Sequence, residues 1–249
     1  MSSLAPLIQT LARYRSLEFH HNPQLAARLS SVQNWQKKRM QHVHAELFSV
    51  PEHRLMTQYF LNQLYGGSNF NELAEQCERV LKAAKTFEGL LPAGVINTAL
   101  IATELSVLAI ELDQELAQRL DRDLLDDTDD PAINDKQMIQ LCRSANQLNH
   151  RFHQFDLLDE LSNSLDKYVK SKFVHSVFKL SKGLSTRYGL HSLYQFTDEG
   201  FEAMKPLKSA KDFVSEFTHD ERIFIESVYT NHPNPLGRHI QQSLTPAIV

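Results

Sequence analysis

Twelve histidines make metal ligation the first chemistry to weigh in this chain. His42 and Glu46 stand four apart, so one helical face would carry both. Glu216-Phe217-Thr218-His219 spells a single Glu-x-x-His, which places a carboxylate and an imidazole one turn apart. Glu104 and Glu111 stand seven apart, two turns along one face of the most apolar stretch. Helical di-iron sites need two Glu-x-x-His motifs plus two further inward glutamates, and only one such motif occurs here. The zinc pattern His-Glu-x-x-His is absent, as is any Cys-x-x-Cys pair. Metal is therefore a weak second reading, with Glu104, Glu111, His42, Glu46, Glu216 and His219 as its candidate ligands.

Glu104 sits among Leu100, Ile101, Leu105, Val107 and Leu108. A carboxylate buried there would need a partner or a raised pKa. An ion pair with Arg or Lys of a neighbouring helix, or exposure on a narrow polar stripe with Glu111 and Glu115, accounts for it better than an acid/base or ligand role in a bundle cavity. No catalytic residue and no cofactor is predicted: Gly-x-Ser-x-Gly, Gly-x-Gly-x-x-Gly and the phosphate-cradling Gly-x-x-x-x-Gly-Lys are all missing. Cys77 and Cys142 lie in helical patterns and lack a local basic setting that would suggest an activated thiolate, so they read as small buried apolar residues. Gln36-Lys37-Lys38-Arg39 is the densest basic run. Lys167, Lys170, Lys172, Lys179, Lys182 and Arg187 add a basic stretch interleaved with Tyr168, Phe173 and Phe178. Those aromatics fall at core spacing and the net charge is −4, so nucleic acid is not an expected partner.

The elements that would position these residues are all helices. Good helix formers dominate, glycines number eight, and no stretch alternates with hairpin chemistry. The spacing predicts helices over about 3–20, 23–48 and 70–87. A long one at about 92–125 is apolar nearly all round from Val95 to Leu112. Further helices are expected near 136–152, 157–170, 173–181, 191–204 and 208–229. A helix apolar all round is a buried one. The expectation is an all-α, irregular multi-helix bundle with the 92–125 helix at its centre. One domain would span 1–230, with the acidic connection Asp126 to Pro131 inside it and a mobile tail over 231–249.

The best-marked helix is a short one after Pro51. Leu55, Met56, Tyr59, Phe60, Leu61, Leu64 and Tyr65 gather on one broad face, with Asn62 and Gln63 opposite. Ser49 and Glu52 have the spacing of a capping box, and Gly66 or Gly67 can end the helix. The run Tyr59-Phe60-Leu61-Asn62-Gln63-Leu64-Tyr65-Gly66 resembles the motif of a bacterial family named for its FFLEELY sequence. The likeness extends over roughly residues 5–230. A Trp-then-basic helix at Trp35 to Arg39 precedes the motif. A long apolar helix with acids follows at 92–120, and Asp220-Glu221-Arg222-Ile223 comes near the end. Tyr59 replaces the first Phe and Asn62-Gln63 the Glu pair. Apolar positions are kept while solvent-side ones drift, as in a structural motif. The resemblance implies an uncharacterised all-helical protein.

No basic leader with a continuous apolar core begins the chain, and carboxylates interrupt its most apolar stretch. A soluble cytoplasmic protein without membrane contact is expected. Lacking an enzyme signature, it reads as a structural or protein-interaction protein, acting through self-association as a homo-oligomer. The alternative is a ligand- or metal-binding bundle using the central carboxylates and nearby histidines.

Overall fold

The computed structural model describes residues 4–65, 70–84, 93–120, 133–169 and 171–237. Among these the chain is helical throughout, with no strand. Helix α1 (Ala5–Arg15) leads through a 3₁₀ turn to α2 (Pro23–Val43) and the short α3 (Ala45–Ser49). Helix α4 (Arg54–Tyr59) runs straight into a π-helical segment, Phe60–Leu64. Then come α5 (Phe70–Ala84), α6 (Ala93–Arg119), α7 (Asp135–Ala145) and α8 (Leu148–Val169). Helices α9 (Lys172–Arg187), α10 (His191–Met204) and α11 (Ala210–Tyr229) complete the set, and a final 3₁₀ turn, Pro235–Gly237, packs on α11 and α2.

Local chemistry explains the boundaries, including those the periodicity misplaces. Asn22 accepts from the Leu25 N–H and Pro23 supplies a first-turn φ, so α2 starts where expected. The first helix stops at Arg15, short of residue 20: the Ser16 hydroxyl donates to the Arg13 carbonyl and Leu17 turns extended. The second breaks at His44 (φ −102°, ψ 25°) instead of running to Phe48. Ser49 donates to the Glu46 carbonyl at the end of α3, so it is not the N-cap of the motif helix. Asn146 takes the left-handed conformation (φ 53°) and ends α7. The expected join at 152–157 is therefore inside α8. Helix α9 runs through Gly183 and closes before Gly189, whose φ of +64° needs the missing Cβ. The described part of the central helix ends at Arg119. The acidic connection, Gly66 and its neighbours, and residues 238–249 lie outside the described residues.

Helix α6 is central, packing against α1, α2, α7 and α8. Its most enclosed stretch lies further along than its composition implies. Gly94, Asn97 and Ala99 are exposed, whereas Val107, Leu116 and Ala117 are fully buried. Two apolar clusters fill the interior. One gathers Leu11, Leu25, Val32, Trp35, Leu116, Met138 and Phe224. The other gathers Met40, Phe60, Leu61, Phe201, Phe213 and Phe217. Each large side chain so buried contributes about 1.5–3 kcal/mol. Along α2 and α11 the change from one cluster to the other falls at buried polar residues: Gln36 and Arg39 on α2, Thr218 and Glu221 on α11.

Candidate functional site

The crossing of α2 and α11 holds a paired charge cluster. Arg39 sits on α2 between Gln36 and Met40, where its guanidinium faces inward. Its two terminal nitrogens donate to the two Glu221 oxygens at 2.6 and 2.7 Å, and its Nε donates to Gln36 Oε1 at 3.0 Å. The guanidinium also lies 4.3 Å from the Phe224 ring centroid. His44, placed by the break between α2 and α3, brings Nε2 to 2.7 Å from Glu221 Oε1. Its Nδ1 lies 3.7 Å from Asp220 Oδ2, within ion-pair range but longer than a hydrogen bond. The imidazole packs 4.2 Å from the Phe217 ring.

These neighbours decide the charge states. Burial alone would raise the Glu221 pKa, but Arg39 and His44 outweigh it and hold the carboxyl down at about 2. Burial works against a charged His44, yet Asp220 and Glu221 raise its pKa above the ordinary 6.5. The cluster is thus a buried Arg⁺–Glu⁻ pair with His44 bonded to it, its charged form favoured by Glu221 and by Asp220 at the half-exposed edge.

A second cluster joins α6, α8 and the end of the motif. Asp113, only 1% exposed, accepts from Arg151 at 2.8 Å and from the Tyr65 hydroxyl at 2.5 Å. The π segment sets Tyr65: its N–H reaches back five residues to the Phe60 carbonyl at 3.0 Å. The wider turn changes where the ring after the helix points. Arg151 also donates to Gln154 and Gln147, and Gln147 Nε2 donates to the Leu112 carbonyl and Glu115. Burial, and then the Asp113 charge, push the Tyr65 hydroxyl well above its ordinary pKa of 10. Burial opposes the Arg151 charge, but Asp113 more than offsets it and the pKa is raised.

The sequence-predicted ligands are placed elsewhere. Glu104 and Glu111 do lie along one face of α6, and Arg13 of α1 bridges them. Its Nε and one terminal nitrogen donate to Glu111 at 3.0 and 2.6 Å; the other donates to Glu104 at 2.7 Å. Thr10 adds a bond to Glu104 at 2.8 Å. Glu104 is partly buried and its partner is the arginine of a neighbouring helix. His42, Glu46, Glu216 and His219 are all exposed. Among the described residues no three His, Cys, Asp or Glu side chains come close enough to share a metal ion. Burial raises the Cys77 and Cys142 thiols to about 11, which leaves them protonated.

The motif residues pack. Met56, Phe60 and Leu61 are buried, and Phe60 meets Phe217 at 4.6 Å. The Tyr59 hydroxyl donates to the Phe196 carbonyl at 3.0 Å, and Gln63 donates to Glu199 at 2.8 Å. Leu64 and Tyr65 are half-buried, and Gly66 is outside the described residues. His44, Asp113 and Arg151 are not among the sequence-predicted residues; Arg39 figures there only in the basic run and the family likeness, and Glu221 only in the likeness. A signal existed. Asp113 adjoins Leu112 and precedes Leu116 and Ala117; Glu221 falls between Phe217 and Phe224 on their stripe.

Fold and site together define an all-helical protein whose interior is organised by paired buried charges. The model of a domain of unknown function (DUF8198) matches residues 16–235, and the chain belongs to that family. The matched span holds every member of both buried charge clusters but omits α1 and its Arg13 bridge. Neither the curated proteins nor the solved structures contain a match to this chain.

Proposed function

We propose that this chain is a structural or protein-interaction module of the bacterial cytoplasm that works through its surface, by self-association. We further read the Tyr59–Gly66 run as this chain's version of the FFLEELY motif, with a packing role, and residues 1–230 as one domain followed by a mobile tail. One observation carries the functional reading: the buried ionisable side chains are bonded to one another. Glu221 has both oxygens on Arg39, and Asp113 has its oxygens on Arg151 and Tyr65. A catalytic acid or base needs an unfilled position within reach of a substrate. These groups bond inward instead.

Native mass spectrometry of the purified chain, with elemental analysis of the same sample, tests the reading. A metal-free species with a subunit count above one is expected. A strict monomer at all concentrations removes self-association. A stoichiometric metal or small molecule replaces the reading with a ligand-binding bundle.

A further inference from the structure

Residues 167–197 contain six lysines and arginines and no aspartate or glutamate, in a chain whose net charge is −4. Helix α9 lies within this stretch. Its inner side faces α10: the Phe178 ring stacks on Tyr194 at 4.5 Å and 7°. Its outer side is an exposed arc that includes Ser176, Lys179, Leu180, Lys182, Gly183, Thr186 and Arg187. Leu180 is 80% exposed and Tyr188, just past the helix, is 63% exposed; both are among the few large apolar side chains left open. Leu180 and Arg187 stand two turns apart on one line, with Gly183 between them, and a Cβ at Gly183 would meet nothing within 4 Å. Arg79 of α5 reaches the Gly189 turn at the end of this face and adds a further cation. The ion pairs of the described residues include none with Lys179, Lys182 or Arg187.

We propose that the outer face of α9 docks on an anionic phospholipid surface, with Lys179, Lys182 and Arg187 against the headgroups and Leu180 and Tyr188 dipping below them. This goes beyond the interaction reading above. No helix among the described residues is long and apolar enough to cross a membrane, and a peripheral contact requires none. Charge complementarity selects an acidic occupant. The uncharged side chains then select lipid over nucleic acid. Binding to unpaired bases uses a series of exposed aromatic faces, but Phe178 is already stacked on Tyr194, which leaves Tyr188 alone among the described residues of this face, and a projecting leucine stacks on no base. A leucine between cations fits an interface that is charged outside and apolar beneath.

Co-sedimentation of the full chain with vesicles is the test. Phosphatidylcholine vesicles are compared with vesicles that also contain phosphatidylglycerol, at low and high salt. Binding to the anionic vesicles alone, weakened by salt, is expected. The triple variant Lys179→Gln, Lys182→Gln, Arg187→Gln should weaken it by roughly a hundredfold, at a factor of about five for each cation removed. Leu180→Ser should weaken binding to the same degree at both salt concentrations. Circular dichroism checks that both variants keep their helices. The proposal is overturned if the chain ignores anionic vesicles, if both variants bind like the parent, or if the same face captures single-stranded nucleic acid in preference to lipid. None of these outcomes alters the subunit count, so self-association stands or falls separately.

Discussion

At the scale of single residues, Glu221 has the largest consequence. Its carboxylate is the counter-charge of Arg39, so its removal leaves Arg39 buried without one and leaves His44 only the longer contact to Asp220. Breaking one side of a buried pair costs about 3–5 kcal/mol, far more than an intact surface pair contributes. Glu221→Gln should lower stability by that amount in urea unfolding; a loss below ~1 kcal/mol would mean the pair is solvated. His44 provides a second reading of the same cluster. Its pKa is raised, so its ion pair stabilises the fold below pH 6.5 and that stability fades as pH rises through the folded value. An NMR titration should find His44 above 6.5, and Asp220→Asn should bring it down. At the other cluster, Tyr65→Phe removes one of the bonds to Asp113, which keeps Arg151. A cost of about 1–3 kcal/mol is expected from equilibrium unfolding.

At the scale of elements, the motif helix acts as a wedge between α10 and the first half of α11. Phe60→Ala should cost about 3–5 kcal/mol, because the ring is buried against Phe217. Gly200 of α10 shows how closely the wedge fits: a Cβ there would stand 2.9 Å from the Tyr59 hydroxyl and 3.1 Å from its ring. Alanine normally stabilises a helix interior by about 1 kcal/mol over glycine. Gly200→Ala should nevertheless lower the melting temperature, and Tyr59→Phe should relieve part of that loss by taking away the hydroxyl. The helices themselves are legible in the sequence, because stripes such as Leu25, Leu29, Val32 and Trp35 repeat at the helical period. The π segment and the break at His44 are not. Both depend on what a polar side chain meets across the fold, and apolar spacing carries no trace of that. Partner choice fails for the same reason. Glu104 invited attention for its apolar neighbours, and Arg13 answers it; Asp113 on the same helix is the buried one, and its partners lie in two other elements.

At the scale of the whole molecule, acid should act through the layer where the two clusters meet. Glu221 has a depressed pKa, so its contribution is complete above the ordinary 4.5 and is lost as pH falls toward about 2. Unfolding free energy, followed by tryptophan fluorescence at Trp35, should decline across that window, and Glu221→Gln should flatten the decline. An unchanged profile would place the acid-sensitive groups elsewhere. The layer also has a history within each chain's synthesis. Arg39 and Glu221 are 182 residues apart. At ~5–20 residues per second, the ribosome delivers the glutamate roughly 10–40 s after the arginine. Throughout that interval Arg39 is a cation without its counter-charge, and water solvates it better than any apolar surroundings can. Helix α2 is thereby kept from sealing its inner face too early, and α11 becomes the closing piece. A released chain truncated before residue 210 should be cut readily by protease within α2, and one extended past residue 230 should resist.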